Sequence, residues 1–224
     1  MSDIIREVDE AVRQDQAREW WNRYGNWVVG ACVGVVVAVA AWQGWSVYRD
    51  DQRGAAGAAF SVAVADAGKD AKTAIPALER IAAGGVEPYA GFARLKIAQL
   101  KAESGDKPAA AAAYDAAAKA AASEDLRDVA ILLGAMQAFD TAPSDELIAR
   151  LQPLTAAGRP LRPSAMELTA ALALKAGDTA RARTLWIEIA ADPGAPTTLR
   201  DRVRELLAAA GGEPPTPAPT PAKP

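Results

Sequence analysis

The sequence predicts an all-α protein in which one N-terminal transmembrane helix is followed by an α-solenoid of helical hairpins. Three observations carry this prediction. An uncharged run, 24–48, lies near the N-terminus. The remainder is rich in helix-forming residues and has few β-branched alternations. Helix-breaking residues recur at an interval in the mid-thirties. We therefore divide the chain into an N-terminal segment (1–23), a transmembrane helix (24–48), a helical repeat domain (51–210) and a Pro-rich disordered tail (211–224).

The segment before the apolar run carries a helical stripe of apolar residues with Arg, Asp and Glu between them: Ile4, Ile5, Val8, Ala11 and Val12. The stripe fits a short helix that lies on the membrane or docks a partner. It fits a loosely ordered tail equally well.

The apolar run is bounded by Arg23 and Arg49 and is longer than the roughly 30 Å of hydrocarbon requires at about 1.5 Å per residue. Indole rings flank both ends, as expected at the level of the lipid headgroups: Trp20, Trp21, Trp27, Trp42 and Trp45. A cleaved signal peptide and a buried core helix are the alternatives. The length of the run and the mixed charges before it favour an uncleaved anchor.

Orientation rests on a small bias in arginine. Three arginines fall in the 15 residues before the run and two in the 15 after it. This favours a cytoplasmic N-terminus. The repeat domain is then expected on the opposite side of the membrane.

Within the run, Gly30, Gly34 and Ala38 share one helix face and predict a contact with another transmembrane helix. The alternative is the ordinary abundance of Gly and Ala in membrane helices. Cys32 is the only cysteine, and we interpret it as a small packing or lipid-facing residue.

The pattern beyond the membrane predicts helices over 51–67, 70–83, 88–103, 107–122, 124–139, 144–157, 163–176, 178–191 and 197–210. The breaks at Gly68, Gly105, Thr141 and Gly177 are spaced by 37, 36 and 36 residues. Each break is expected between the two helices of a pair, which is the pattern of stacked helical repeats.

Two stretches match best, 89–121 and 164–191. Their matched pairs are Gly105-Asp106 with Gly177-Asp178, Ala98 with Ala170, Leu100 with Leu172 and Tyr114 with Trp186. We expect both aromatic rings in the core. The alanine run 109–122 offers little packing volume, which indicates either a close helix contact or a mobile repeat. After Gly211-Gly212, closely spaced prolines predict an extended, solvated tail.

Composition argues against several classes of function. The chain has no histidine, which is the commonest general base and metal ligand. The carboxylates, among them Asp125 and Asp128, sit in patterns typical of solvated helix faces. We expect no enzyme activity, no metal and no cofactor. A net charge of −3 gives no electrostatic footprint for nucleic acid, and no small-molecule substrate is expected.

Five motifs of the sequence together point to a known family. They are Asp15-Gln16-Ala17-Arg18-Glu19-Trp20-Trp21-Asn22-Arg23-Tyr24-Gly25, Trp42-Gln43-Gly44-Trp45, Tyr89-Ala90-Gly91-Phe92-Ala93-Arg94-Leu95, Glu124-Asp125-Leu126-Arg127-Asp128-Val129-Ala130 and Gly177-Asp178-Thr179-Ala180-Arg181-Ala182-Arg183-Thr184-Leu185-Trp186. With these motifs the chain resembles the YfgM-like family, ancillary subunits of the bacterial Sec translocon, over about residues 13–210. The alanine-rich second repeat pair and the Pro-rich tail depart from the family pattern.

The resemblance implies a single-span inner-membrane protein with a cytoplasmic N-terminus and a periplasmic tetratricopeptide-repeat-like domain. It also implies two partners, the Sec translocon and a periplasmic chaperone or folding factor. Membrane lipid is a further expected partner, because the chain carries a transmembrane run. Binding is expected through the concave face of the repeats, the span, or both. An envelope-stress or cell-division adaptor built on the same anchored repeats is the alternative function.

Overall fold

The computed structural model describes the backbone of residues 2–211 and, within it, the side chains of residue 18 and of residues 20–211. Every regular element in this part of the chain is helical. The elements are α1 (Ser2–Ala67), α2 (Ala71–Gly84), α3 (Tyr89–Glu103), α4 (Lys107–Lys119), α5 (Glu124–Gln137), α6 (Ser144–Leu151), a 3₁₀ turn (Gln152–Thr155), α7 (Arg162–Lys175), α8 (Thr179–Ala191) and α9 (Thr197–Ala209). The all-α prediction is confirmed.

Two of the predicted helix boundaries are wrong. The segment 51–67 is the end of α1 rather than a separate helix, since no proline separates it from the apolar run. The segment 144–157 is helical only to Leu151. Pro153 lacks a backbone N–H and continues the chain as a 3₁₀ turn.

The chain divides into two units, with the boundary between Ala55 and Ala56. Residues up to Ala55 belong to α1 in the described range, and the repeat helices belong to the second unit. The predicted stripe Ile4, Ile5, Val8, Ala11 and Val12 has a helical backbone, but its side chains lie outside the described residues. So does the predicted tail, from residue 212 onward.

The turns after α3 and α7 have the same geometry. Gly105 and Gly177 adopt φ of 84° and 86°, a left-handed conformation that glycine accepts without steric cost. The aspartates that follow cap the next helix, because Asp106 accepts from the N–H of Ala109 and Asp178 from that of Arg181, both at 3.0 Å. These equivalent turns show that the helix pairs are structural repeats.

The other two turns also separate the helices of a pair, but without the glycine and aspartate combination. Asp70 caps α2 by accepting from the Lys72 N–H at 2.9 Å. The turn between α5 and α6 has no glycine, and the N–H of Thr141 bonds to the Ala138 carbonyl at 3.0 Å. Each of the four predicted breaks lies between two helices.

The core of the repeat unit runs along it in three clusters. One joins the end of α1 with α2 and α3, one centres on α5 to α7, and one lies among α7, α8 and α9. The matched residues Ala98, Ala170, Leu100 and Leu172 are all buried. Their equivalence confirms the repeat register read from the sequence.

The two matched aromatic rings are core residues, since Tyr114 is 3% exposed and Trp186 2%. Burial raises the pKa of the Tyr114 hydroxyl, and the nearby charge of Glu103 adds to this effect. The alanine-rich helix α4 makes a close helix contact. A Cβ placed on Gly134 of α5 would lie 3.1 Å from the Tyr114 Cβ, so α5 approaches α4 at a point where only glycine fits easily.

Candidate protein-binding site

The candidate span is the exposed part of α1. Among the described residues, one helical segment, Trp20–Ala67, is long and apolar enough to cross a membrane, and only 6% of its apolar window is buried. That exposure disagrees with the buried-core alternative. The five predicted interfacial indoles are all exposed: Trp20, Trp21, Trp27, Trp42 and Trp45.

The predicted contact face of the span is open. An added Cβ on Gly30 or Gly34 would meet no atom within 4 Å, and Ala38 is also exposed. A shallow groove of 460 Å³ lies at the start of this face and is lined by Asn26, Trp27, Gly30 and Ala31. The face has room for another helix, and its docking role stays a prediction.

One groove of the repeat unit lies between α6 and α8, with α7 as its floor, and we call it the α6–α8 groove. Its volume is 450 Å³. Apolar side chains from all three helices meet in it, Ile148 from α6, Met166 from α7 and Leu185 from α8. The polar residues that line it are Asp145, Gln152, Thr155, Arg162, Thr169, Arg181 and Glu188.

Two of the charged residues in this groove are held in place by their neighbours. Arg162 donates from Nε to the Thr155 carbonyl at 3.1 Å, bonds to Asp192 at 3.0 Å and pairs with Glu188. The hydroxyl of Thr169 is satisfied within its own helix, since it donates to the Ala165 carbonyl at 2.7 Å. These groups already have hydrogen-bond partners within the protein, so they shape the groove and are not free to bond to a ligand.

Asp145 and Arg181 are different, because both are exposed and neither forms an ion pair with any side chain that the structure describes. One lies on α6 and the other on α8, so the two walls carry opposite free charges. One apolar side chain from each of the three helices lies between these two charges. This arrangement suits an amphipathic helix, whose apolar side enters the groove while its charged flanks meet the walls.

A second groove, the α4–α6 groove, stands one repeat earlier, with α5 as its floor and a volume of 480 Å³. An ion pair between Asp115 and Arg150 joins its walls. Ile131 and Ala118 are its apolar lining, and Lys119, Arg127 and Glu146 are the remaining polar residues. It is more charged than the α6–α8 groove, since five of its seven lining residues are charged.

Ion pairs also join consecutive repeats on the side of their first helices. Arg159 contacts Glu124 at 2.7 Å and Asp128 at 3.6 Å, and the Glu124 hydrogen bond is the main reason that the pKa of Arg159 is raised. Arg202 makes two 2.6 Å bonds to Glu167, which likewise raise its pKa. Glu124 and Arg159, like Glu167 and Arg202, stand 35 residues apart. Each of these ion pairs therefore links residues that lie about one repeat apart in the sequence.

Asp128 corrects one expectation from the sequence, which placed it on a solvated face. Its residue is 4% exposed, because Arg159 from the segment before α7 covers it. Its polar neighbours in sequence, Glu124 and Asp125, are exposed as expected. The pattern of α5 alone could not predict this burial, because the covering cation, Arg159, lies 31 positions further along the sequence.

The first helices of three successive pairs expose apolar side chains of their own: Phe92 on α3, Met136 on α5 and Leu174 on α7. Such side chains are candidate partner contacts. In the part of the chain that was described, no group of three or more His, Cys, Asp or Glu residues is arranged to hold a metal ion.

Sequence reasoning did not single out the residues of the α6–α8 groove. Ile148, Met166 and Leu185 follow the apolar periodicity of their helices, so the sequence marks them as inward-facing. Which neighbour each one meets depends on how the helices are rotated against each other. The available signal was the repeat spacing, since Ile148 and Leu185 stand 37 residues apart.

Comparison with known proteins agrees with the repeat architecture. The model of the family described as "Tetratricopeptide repeat-like domain" matches residues 18–205, which is most of the chain. A search of curated proteins and a search of solved structures each returned no match. The match covers both the apolar segment and the repeats, and the chain belongs to the tetratricopeptide repeat-like domain family.

Proposed function

We propose that this protein is a membrane-anchored scaffold that binds protein partners and catalyses no reaction. The observation that carries the proposal is the single family match over residues 18–205, which unites an apolar helix with helical repeats. Domains of this kind mediate contacts with protein partners. The exposed indoles of α1 support a role for membrane lipid as the surrounding medium.

The α6–α8 groove is the binding surface we assign to the repeats. Ile148, Met166 and Leu185 provide the apolar centre of an interface, and Asp145 and Arg181 provide the charged rim that selects a partner. The expected ligand is an amphipathic helix of another protein, with a basic flank toward Asp145 and an acidic flank toward Arg181. No cofactor or metal takes part.

The more specific proposal is an ancillary subunit of the Sec translocon that links it to a periplasmic chaperone or folding factor. Its support is the resemblance carried by the segment 15–25 and by the repeat motifs. In this arrangement the protein sits in the bacterial inner membrane, with its N-terminus in the cytoplasm and its repeats in the periplasm.

Affinity purification of the full chain from detergent, with identification of the bound proteins, tests the proposal. The double variant Asp145→Arg, Arg181→Glu reverses both free charges of the groove and should reduce recovery of a soluble partner. Its matched control is Lys72→Glu, Glu205→Arg, which makes the same two reversals at exposed positions outside the groove.

Equal partner recovery from the groove variant, the control and the wild type would rule out the groove. Recovery of a division or envelope-stress complex without the translocon would favour the adaptor function instead. Protease added to spheroplasts tests orientation separately. Digestion of the repeats with protection of the N-terminal segment is the expected pattern, and the reverse would overturn it.

A further inference from the structure

A third groove lies at the N-terminal end of the repeat unit, and we call it the N-terminal groove. It has a volume of 550 Å³ and is lined by Ala58, Ala59, Val62, Ala63 and Asp66 of α1 and by Ala77, Arg80 and Ile81 of α2. Six of these eight residues are apolar, a larger share than in either interior groove. Val62, one of the lining residues, is 61% exposed.

The position of this groove in the repeat explains its shape. In the interior grooves the first helix of a pair forms the floor, and the second helices of two successive pairs form the walls. In the N-terminal groove α1 is the floor and α2 is one wall. A helix in the place of the preceding pair would complete it.

The two ends of the repeat unit differ in how they are closed. At the C-terminal end, α9 buries Leu199, Val203 and Leu207 and turns Asp201 and Glu205 to solvent. That arrangement is the polar cap that a solenoid requires. Within residues 56–211 no such cap covers Val62, so an apolar surface that is internal elsewhere is open here.

We propose that a second copy of this chain occupies the N-terminal groove, so that two repeat units pack end to end about a two-fold axis. A two-fold contact requires a surface that complements itself. The groove has one acidic and one basic residue, Asp66 on the floor helix and Arg80 on the wall. Each Asp66 can therefore face the partner's Arg80.

The remaining lining favours this occupant. Four of the lining residues are alanines, which allow two helices to approach closely. Val62 and Ile81 supply the larger apolar side chains that would be buried. The local bonds of the two charges leave them accessible. Among the side chains that the structure describes, Asp66 pairs only with the exposed Lys69, at 3.1 Å, and Arg80 bonds to the Pro76 carbonyl at 3.3 Å.

Site-directed cross-linking of the full chain in lipid nanodiscs or detergent tests the proposal. Cys32, the only cysteine, is first replaced by serine. Val62→Cys is then treated with a short bismaleimide and should be captured as a covalent dimer. Leu206→Cys, which is exposed on the C-terminal cap, is the matched control and should remain monomeric.

Charge reversal separates a specific contact from random collision. In the Val62→Cys background, Asp66→Arg and Arg80→Asp each place like charges opposite each other and should lower the cross-linked fraction by about tenfold or more. The double reversal restores opposite charges and should recover the dimer. Helical circular dichroism of every variant verifies that the fold is retained.

Three results would overturn the proposal. One is Val62→Cys cross-linking no better than Leu206→Cys. Another is a double reversal that fails to recover the dimer while the protein stays helical. The third is capture of Val62→Cys by Leu206→Cys in a mixture of the two, which would mean head-to-tail stacking. None of them bears on partner binding in the α6–α8 groove, so the two proposals fail independently.

Discussion

Gly134 determines how closely the alanine-rich helix can pack in the repeat unit. A methyl group at this position would lie 3.1 Å from the Tyr114 Cβ and 3.4 Å from Asp115 Oδ1. The small side chains of α4 allow the backbones of α4 and α5 to lie close together, and Gly134 has no side chain that would prevent this approach. The small side-chain volume of α4 is thus compensated by the short distance between α4 and α5.

Gly134→Ala should therefore destabilise the repeat unit, because the helices must separate to accept the added methyl group. Gly84→Ala is the matched control, since Gly84 ends α2 with no atom within 4 Å of an added Cβ. The control should stabilise by about 0.4–1 kcal/mol through reduced freedom of the unfolded chain. Urea unfolding of both variants measures the difference in their free energy of unfolding. Equal stabilisation would mean that the contact between α4 and α5 can accommodate a methyl group.

Trp186 fills the core next to the C-terminal cap, where Val203 and Leu207 belong to the same cluster. Its indole N–H is buried and has no hydrogen-bond partner among the described groups. Trp186→Ala should cost about 3–5 kcal/mol of unfolding free energy, the range for a large buried aromatic.

Trp186→Phe is the control for that loss, because it keeps an aromatic ring and removes the unpaired N–H. It should be markedly less destabilising than alanine in the same unfolding experiment. A near-neutral Trp186→Ala variant would contradict the core position of the ring.

At the scale of elements, ion pairs link each repeat to the next. Most are exposed and are expected to contribute little. The Arg159–Asp128 contact differs, because the Asp128 carboxylate is buried and Arg159 is its ionic partner among the described residues. Removing the cation leaves a charge away from water without a partner.

Arg159→Ala should consequently lower the midpoint of thermal unfolding more than Lys107→Ala does. Lys107 is the matched comparison, since it pairs with Asp140 at 2.8 Å on the open surface. The hydrogen bond from Lys107 lowers the pKa of Asp140, yet both side chains stay in solvent. Similar midpoints for the two variants would show that Asp128 recruits another donor or solvent.

The elements were predictable from the sequence to the extent that their signals are local. Gly105-Asp106 and Gly177-Asp178 mark both a left-handed turn and a helix cap, so the sequence located these hairpins. The end of α6 was placed too late, because an apolar pattern continued through Pro153. The grooves could not be predicted, because their lining comes from three helices whose rotation is set by packing.

At the scale of the whole molecule, the proposed function assigns different partners to the two units that meet between Ala55 and Ala56. The first unit has an open glycine face and the second has the α6–α8 groove. A change confined to one unit should therefore affect one partner and spare the other.

The double variant Gly30→Leu, Gly34→Leu tests this division of labour. Leucine keeps the helix apolar enough to insert, but its bulk separates the helix from a neighbouring one. Co-purification with the translocon should fall, while binding of soluble periplasmic partners persists. Deleting the repeats should have the opposite effect.

The matched control is Val35→Leu, Val39→Leu, which adds apolar volume on another face of the same helix and should leave translocon recovery unchanged. Full recovery of the translocon with the glycine variant would show that Gly30 and Gly34 are ordinary residues of a membrane helix. Leucine at both positions would have prevented any close helix contact there. Docking would then have to come from the repeats, and the α6–α8 groove would be expected to contact the translocon itself.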